Sequence, residues 1–311
     1  MEQVDAAPGS DGLIHQALFY HGTEDYLARV TDFVQAGLTR AEPAFIAVPG
    51  PLGALLRDPL RAGNGQLSYA DMAEAGRNPA RIIPALWAFL ERHPGQRCRV
   101  VSEPAWDGRS AAELCETMRH EALVNLAFAD SRVSVLCPYP AGLAGRVAGW
   151  ARSTHPAFVE DGSLTTSVSY AGAGHWPQEC DEPLPPPPVS AAVLSYAASL
   201  APVRHLVADQ ARRGGLPADR AADLVLAASE IAANTLRYTG HGGTLHVWRT
   251  ASELLCQLRD RGWITDPLAG RRRRPALEPG HGLWLVNQVC DLVELRTGQN
   301  GTTVRLHLTL P

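Results

Sequence analysis

Residues 230–238 read Glu-Ile-Ala-Ala-Asn-Thr-Leu-Arg-Tyr, and three short signatures follow in order: Asp260-Arg261-Gly262, Gly280-His281-Gly282-Leu283 and Gly301-Thr302-Thr303. Glu230 and Asn234 are one helical turn apart and so share a face. A carboxylate one turn from an amide oxygen suits a site where one residue activates a nucleophile and the other ligates Mg2+. Asp260 closes an apolar run, where a carboxylate can accept a hydrogen bond from an exocyclic amine, and Gly262 permits the close approach of a flat ring. Gly280 to Leu283 opens a helix, whose N–H groups and positive end favour an anion. Each signature alone has an ordinary explanation: two solvated polar residues, a strand exit, a helix start, a good strand former. Their order is what carries information.

Working outward, a helix is expected over 217–238, with Pro217 at its first position and Gly240 closing it. Strands are expected over 244–250 and 253–260, a short helix over 283–290, and a hairpin at Asn300-Gly301. Residues 191–213 read as a further helix ending at Gly214-Gly215. Together these predict an α+β domain with helices on one face of a mixed sheet.

Upstream, residues 172–190 include His175-Trp176-Pro177 and the four prolines 185–188, which cannot continue a helix or a sheet ladder. They predict an extended spacer between domains at 1–171 and 191–311. In the first domain, apolar runs at 17–20, 44–48, 66–69, 99–102 and 133–137 alternate with amphipathic stretches at 23–39, 79–92 and 110–128. Such alternation argues for βαβ units and a mostly parallel sheet. Ser110-Ala-Ala-Glu113 is a capping box that sets the register of the third helix.

Composition narrows the chemistry. All 28 basic residues are arginine, so a Walker-type phosphate loop, a protein-kinase fold and Schiff-base catalysis are excluded. A net charge of −4 gives no electrostatic case for nucleic acid or an anionic membrane. No apolar run approaches the roughly 18 residues of a membrane span. The six scattered cysteines read as reduced, mostly buried thiols, and a cytoplasmic location is expected.

On the four signatures above, residues 192–310 resemble the GHKL ATPase superfamily, which includes histidine kinases and gyrase, and more narrowly the anti-sigma-factor serine-protein kinases. The resemblance implies a sandwich of the GHKL/Bergerat type that binds ATP with Mg2+. It gives Asn234 to Mg2+, Glu230 the role of general base, and Asp260 the adenine amino group. Gly262 would border the base, Gly280, Gly282 and Leu283 would cradle phosphate, and Thr303 would join the adenine-side hydrogen bonds. Residues 263–279 correspond to the ATP lid, in which Arg271 to Arg274, with Arg273 and Arg274 foremost, would supply cationic charge. The family's first glycine box often reads D-x-G-x-G or D-x-G-x-P, whereas Trp263-Ile264 follow Gly262 here. The implied partner is an anti-sigma antagonist or a sigma factor, and homodimers are common in the family. A classical histidine kinase would need a phosphoacceptor such as His205, which lacks the acidic neighbour of such a box.

The first domain carries its own resemblance. His15-Gln-Ala-Leu-Phe-Tyr20, Gly76-Arg-Asn-Pro79, Glu103-Pro-Ala-Trp106, Arg119-His-Glu-Ala-Leu-Val-Asn125 and Leu136-Cys-Pro-Tyr139 resemble the MEDS sensory domain over residues 12–155. That family is attached to bacterial regulators, and the resemblance implies an α/β, RecA-like fold that senses a small molecule. Glu103, Trp106, Cys137 and Tyr139 follow or end predicted strands, where open α/β sheets place ligands, and His120 lies on the helix between them. Glu103, His120 and Cys137 are ligand types that could hold a metal, but their generic spacing favours packing or an organic-ligand pocket. His21 and His155 are expected at the surface. The combined expectation is a signalling protein in which a sensor controls an ATP-dependent serine/threonine kinase, with a non-catalytic binding module and an atypical histidine kinase as alternatives.

Overall fold

The computed structural model describes residues 12–61, 65–143, 145–273 and 280–311, and the chain divides into two compact units, Met1–Cys180 and Asp181–Pro311. In the first unit the order is β1 (Ile14–Tyr20), α1 (Gly22–Leu38), β2 (Ala44–Val48), α2 (Gly50–Arg57), β3 (Leu67–Asp71) and α3 (Met72–Ala75). A 3-10 turn at Pro79–Arg81 runs into α4 (Ile82–Leu90), followed by β4 (Cys98–Ser102), α5 (Ala111–Ala127), β5 (Val133–Pro140), α6 (Gly145–Thr154) and the hairpin β6 (Ala157–Glu160) to β7 (Ser163–Thr166). The strands form one sheet in the order β3-β2-β4-β5-β1-β6-β7, parallel except for the last pair. The five expected strands and three expected helices are all present, whereas α2, α3, α6 and the β6–β7 hairpin were not anticipated.

The capping box forms: Ser110 accepts from the Glu113 N–H and Glu113 accepts from the Ser110 N–H. The helix it starts, α5, is buried on every side from Glu116 to Asn125. A helix buried all round must find internal partners for its polar side chains. Arg119, His120, Glu121 and Asn125 are therefore constrained by what faces them.

The expected spacer is not free along its length. The Gly174 N–H donates to the Ala122 carbonyl, Arg119 stacks on Trp176, and the buried Cys180 sets its thiol against Cys115. In the second unit Arg296 donates to the Glu182 carbonyl and Arg305 to that of Pro185. Among the cysteines all six are free thiols, and only Cys115 is not fully buried.

The second unit comprises β8 (Ala192–Tyr196), α7 (Ala201–Gly214), α8 (Ala218–Thr239), β9 (Gly243–Arg249), β10 (Glu253–Asp260), α9 (His281–Val289), β11 (Leu292–Gly298) and β12 (Gly301–Thr309). Its sheet runs β11-β12-β10-β9-β8 and every pairing is antiparallel, not mixed as expected. The single helix expected over 191–213 is instead a strand and a helix. Ala192 to Tyr196 alternates in exposure and pairs with β9, and Pro202 in the first turn of α7 marks where helix begins. Val203, Val207, Leu224, Ala228 and Ile231 from α7 and α8 bury against Leu245, Val247, Leu258 and Leu306 on one sheet face. Burying each such aliphatic side chain is worth about 1.5–3 kcal/mol. On β12 the alternate residues Arg305 and His307 point the other way, toward Gln257 and Glu294.

Candidate functional site

Between α8, the end of β10, the following loop and the start of α9 lies a cleft of about 530 Å3. Asn234, Asp260, Gly262, Gly280 and Leu283 all line it, so five residues from three separate stretches meet at one place. Asp260 forms the floor, held from two sides: its Oδ2 accepts from Thr235 Oγ1 at 2.6 Å and its Oδ1 from the Gly262 N–H at 2.7 Å. Tyr196 donates in turn to Thr235 at 3.2 Å, and burial pushes its phenol up to about 12. A carboxylate has about four acceptor positions, so Asp260 fixed in this way still has capacity for a donor from the cleft.

Backbone shape explains the glycines. Gly280 sits at φ +94 as the N-cap of α9, a conformation costly for residues with a side chain. A methyl group at Gly262 would fall 3.0 Å from both Asp260 Oδ1 and Thr239 Cγ2. At Gly282 it would collide with Glu230 Oε2. Glu230 thus lies against the first turn of α9 instead of lining the cleft itself, while Asn234, one turn further along α8, does line it. Glu230 also borders a second depression, of about 700 Å3, between α7 and α8 with Arg204, Arg212 and Ser229.

Thr303 is displaced from its expected place. Its neighbour Thr302 lines the cleft, donating to the Gly262 carbonyl at 2.8 Å and meeting Thr297 at 2.8 Å. Thr302 pairs with Asp260 across the sheet and Thr303 with Arg259. Adjacent strand residues face opposite ways, so only one of the two can reach the cleft. Of the lid, Trp263 to Asp266, Leu268 to Gly270 and Arg272 border the cleft, with Leu268 buried and Ile264 held by Thr297. Arg273 instead stacks over Trp284, and Arg274 lies outside the described residues. A carboxylate floor, an amide oxygen on the wall, glycines where a side chain would intrude and a helix start at the far side fit a nucleotide with its Mg2+.

In the first unit the expected sensor residues separate into two groups. Glu103 is buried at the end of β4, accepts from Tyr20 at 3.0 Å, and is pushed up to about 7 by burial. Trp106 stacks under Arg109 at 3.7 Å. Neither these two nor the buried His120 joins Cys137 in a ligand cluster among the described residues. Cys137 and Tyr139 converge on Glu121, Tyr139 donating to its Oε1 at 3.1 Å and Cys137 to its Oε2 at 3.4 Å. His15 and His155 complete that group. His21 is exposed as expected, but His155 is fully buried, because the unanticipated α6 carries it into the core. His205 is exposed on α7.

Each unit matches a known family model. Residues 14–156 match the model described as MEDS: MEthanogen/methylotroph, DcmR Sensory domain, and residues 194–308 match that of the Histidine kinase-like ATPase domain. No curated protein matches the chain. An ATPase domain of this family implies ATP as the nucleotide, and no helix among the described residues is long and apolar enough to cross a membrane. The chain joins a MEDS sensory domain to a histidine kinase-like (GHKL) ATPase domain, the architecture of a signal-transduction ATPase or kinase.

Proposed function

We propose that the protein is a cytoplasmic ATP-dependent serine/threonine kinase of the anti-sigma type, governed by a small molecule taken up by the MEDS domain. The observation that carries this proposal is the position of Glu230, between the first turn of α9 and the depression along α7 and α8. A hydroxyl presented along that depression by a partner protein, an anti-sigma antagonist, reaches a carboxylate placed to take its proton. Bound Mg·ATP would supply the γ-phosphoryl group to the deprotonated oxygen, its bond to the β-phosphate breaking and ADP leaving. Asn234 offers its amide oxygen to the cation, Asp260 takes a hydrogen bond from the exocyclic amine of adenine, and the backbone at Gly280 and Gly282 meets phosphate. Arg272 places cationic charge at the cleft without any lysine. A second possibility, nucleotide-dependent capture of a sigma factor or antagonist without transfer, is favoured by Trp263. It stands 60% exposed where the family's glycine box would continue.

The test is incubation of the full chain with γ-labelled ATP, with and without candidate antagonists, comparing wild type with Glu230→Ala and Asn234→Ala. Acid-stable label on the partner, lost in both variants, is the expected result. Acid-labile label on the protein itself makes it a histidine kinase, and tight nucleotide binding without label makes it a binding module. Undiminished Mg·ATP binding by Asn234→Ala overturns the assignment of the cleft.

A further inference from the structure

Four side chains from four elements of the first unit meet in its interior: His15 on β1, Glu121 on α5, Cys137 on β5 and His155 just beyond α6. All are at most 2% exposed, and one ligand atom from each lies within 4.8 Å of all the others. The hydrogen bonds around them determine which atoms face inward. The Asn125 amide donates to the Thr154 and Glu121 carbonyls, so its oxygen is the atom that faces His15 Nδ1 at 3.0 Å. His15 therefore carries a proton on Nδ1. His155 Nδ1 lies 2.8 Å from the Ala151 carbonyl, which only accepts, so this ring too is protonated on Nδ1.

In its neutral form each ring therefore turns the lone pair of Nε2 inward. His15 Nε2 is 3.1 Å and His155 Nε2 3.4 Å from the same atom, Glu121 Oε2, and His155 Nε2 has no hydrogen-bond partner. Two lone pairs aimed at one carboxylate oxygen repel unless something positive lies between them. A proton on one ring satisfies one of these contacts and leaves the other Nε2 lone pair against the same oxygen, and protons on both would place two cationic rings with centroids 4.1 Å apart beside a single carboxylate.

We propose that this cluster is a zinc site, with His15 Nε2, His155 Nε2, Glu121 Oε2 and Cys137 Sγ as the four ligands. Zinc–nitrogen bonds of about 2.0–2.1 Å and a zinc–sulfur bond of about 2.3 Å place tetrahedral ligand atoms about 3.3–3.7 Å apart. His15 Nε2 to Cys137 Sγ and Cys137 Sγ to Glu121 Oε2, both 3.4 Å, already have that spacing. The charges cancel: Zn2+ against one carboxylate and one thiolate, with two neutral imidazoles. On binding, the Cys137 thiol proton leaves to solvent and the sulfur bonds the metal. Ala151 and Asn125 orient the imidazoles and Tyr139 holds Glu121 Oε1, the outer contacts that buried metal sites require. Four protein ligands and no exposed position describe a closed, structural site rather than a catalytic one.

The test is elemental analysis of the full-length protein after zinc saturation and desalting, then replacement of zinc by cobalt. One zinc per chain, and a cobalt spectrum with a thiolate charge-transfer band in tetrahedral geometry, is expected. Cys137→Ser abolishes that band, and His155→Ala weakens zinc binding more than about 100-fold, beyond the 10- to 100-fold typical of losing an outer contact such as that of Tyr139. Asn234→Ala, in the other unit, keeps its zinc. Substoichiometric zinc in the saturated wild type overturns the proposal, and so does bound cobalt without a thiolate band, neither of which depends on a variant folding.

Discussion

The Thr235 hydroxyl donates to Asp260 Oδ2 across 2.6 Å, joining α8 to the end of β10 at the floor of the nucleotide cleft. A hydrogen bond to a charged acceptor contributes about 1.5–3 kcal/mol. Thr235→Val keeps the shape and removes the donor, so Asp260 loses one of its two anchors. Affinity for a non-hydrolysable ATP analogue should fall about 10-fold in calorimetric titration. Asp260→Asn should additionally erode the preference for ATP over GTP, and an unchanged preference would remove Asp260 from the adenine subsite.

Gly282 and Gly301 should respond oppositely to alanine. At Gly282 the added methyl meets the far end of the Glu230 side chain, which can swing away. Gly282→Ala should leave the unfolding free energy within about 1 kcal/mol of wild type while displacing Glu230, lowering turnover more than nucleotide affinity. At Gly301 the backbone lies at φ +101 and the methyl meets the backbone carbonyl oxygen of Asp260, which cannot swing away. Gly301→Ala should cost more than about 2 kcal/mol in chemical denaturation.

In the first unit Arg99 Nε donates to Glu42 Oε2 at 2.7 Å with both side chains nearly buried, while the guanidinium lies over Phe33. Removing one member strands the other's charge. Glu42→Ala should therefore destabilise this unit by about 3–5 kcal/mol, and Arg99→Met combined with Glu42→Leu by much less. Equal losses in the single and double variants would show that the pair acts only through packing.

His307 sets a pH dependence on the second unit. Burial alone would lower its pKa, but hydrogen bonds with Glu253 and Glu294 outweigh burial and raise it from 6.5 to about 9. The folded state then binds the proton more tightly than the unfolded chain. The resulting contribution, about 3 kcal/mol, is present in full below pH 6.5 and disappears as the pH rises through about 9. The stability difference between wild type and His307→Gln should shrink over that window, and a constant difference would mean that the imidazolium adds nothing.

Legibility followed period and context. The helix bearing Glu230 and Asn234 and the strand ending at Asp260 were readable because each is long, strongly patterned and punctuated by Pro217, Gly240 and Gly262. That Thr302 and not Thr303 lines the cleft was not legible, because two identical residues at a strand start leave the facing one undetermined until the register with Asp260 is known. The Ala192–Tyr196 strand was hidden because it sits among the helix-favouring alanines 191, 192, 197, 198 and 201, and only its pairing with β9 sets it apart. His155 gave no signal at all: it follows a short helix rich in glycine and arginine, and its burial depends on α6 packing beside α5. Glu121 and Cys137 belonged to recognisable motifs, yet their common partner His15 is 106 residues from one and 122 from the other.

β8 is an outer strand of the second sheet, and Val193 on it is 62% exposed. A rim of this kind offers unsatisfied amide and carbonyl groups to any extended peptide that drifts alongside, including β8 of another molecule. Pro185 to Pro188 stand just upstream, where four consecutive residues have no amide hydrogen to give, and the Arg305 side chain grips the first of them. Recruited pairing along this rim therefore cannot creep past Pro188 toward the amino terminus. The proline run thus sets a fixed upstream boundary on any strand that this edge recruits.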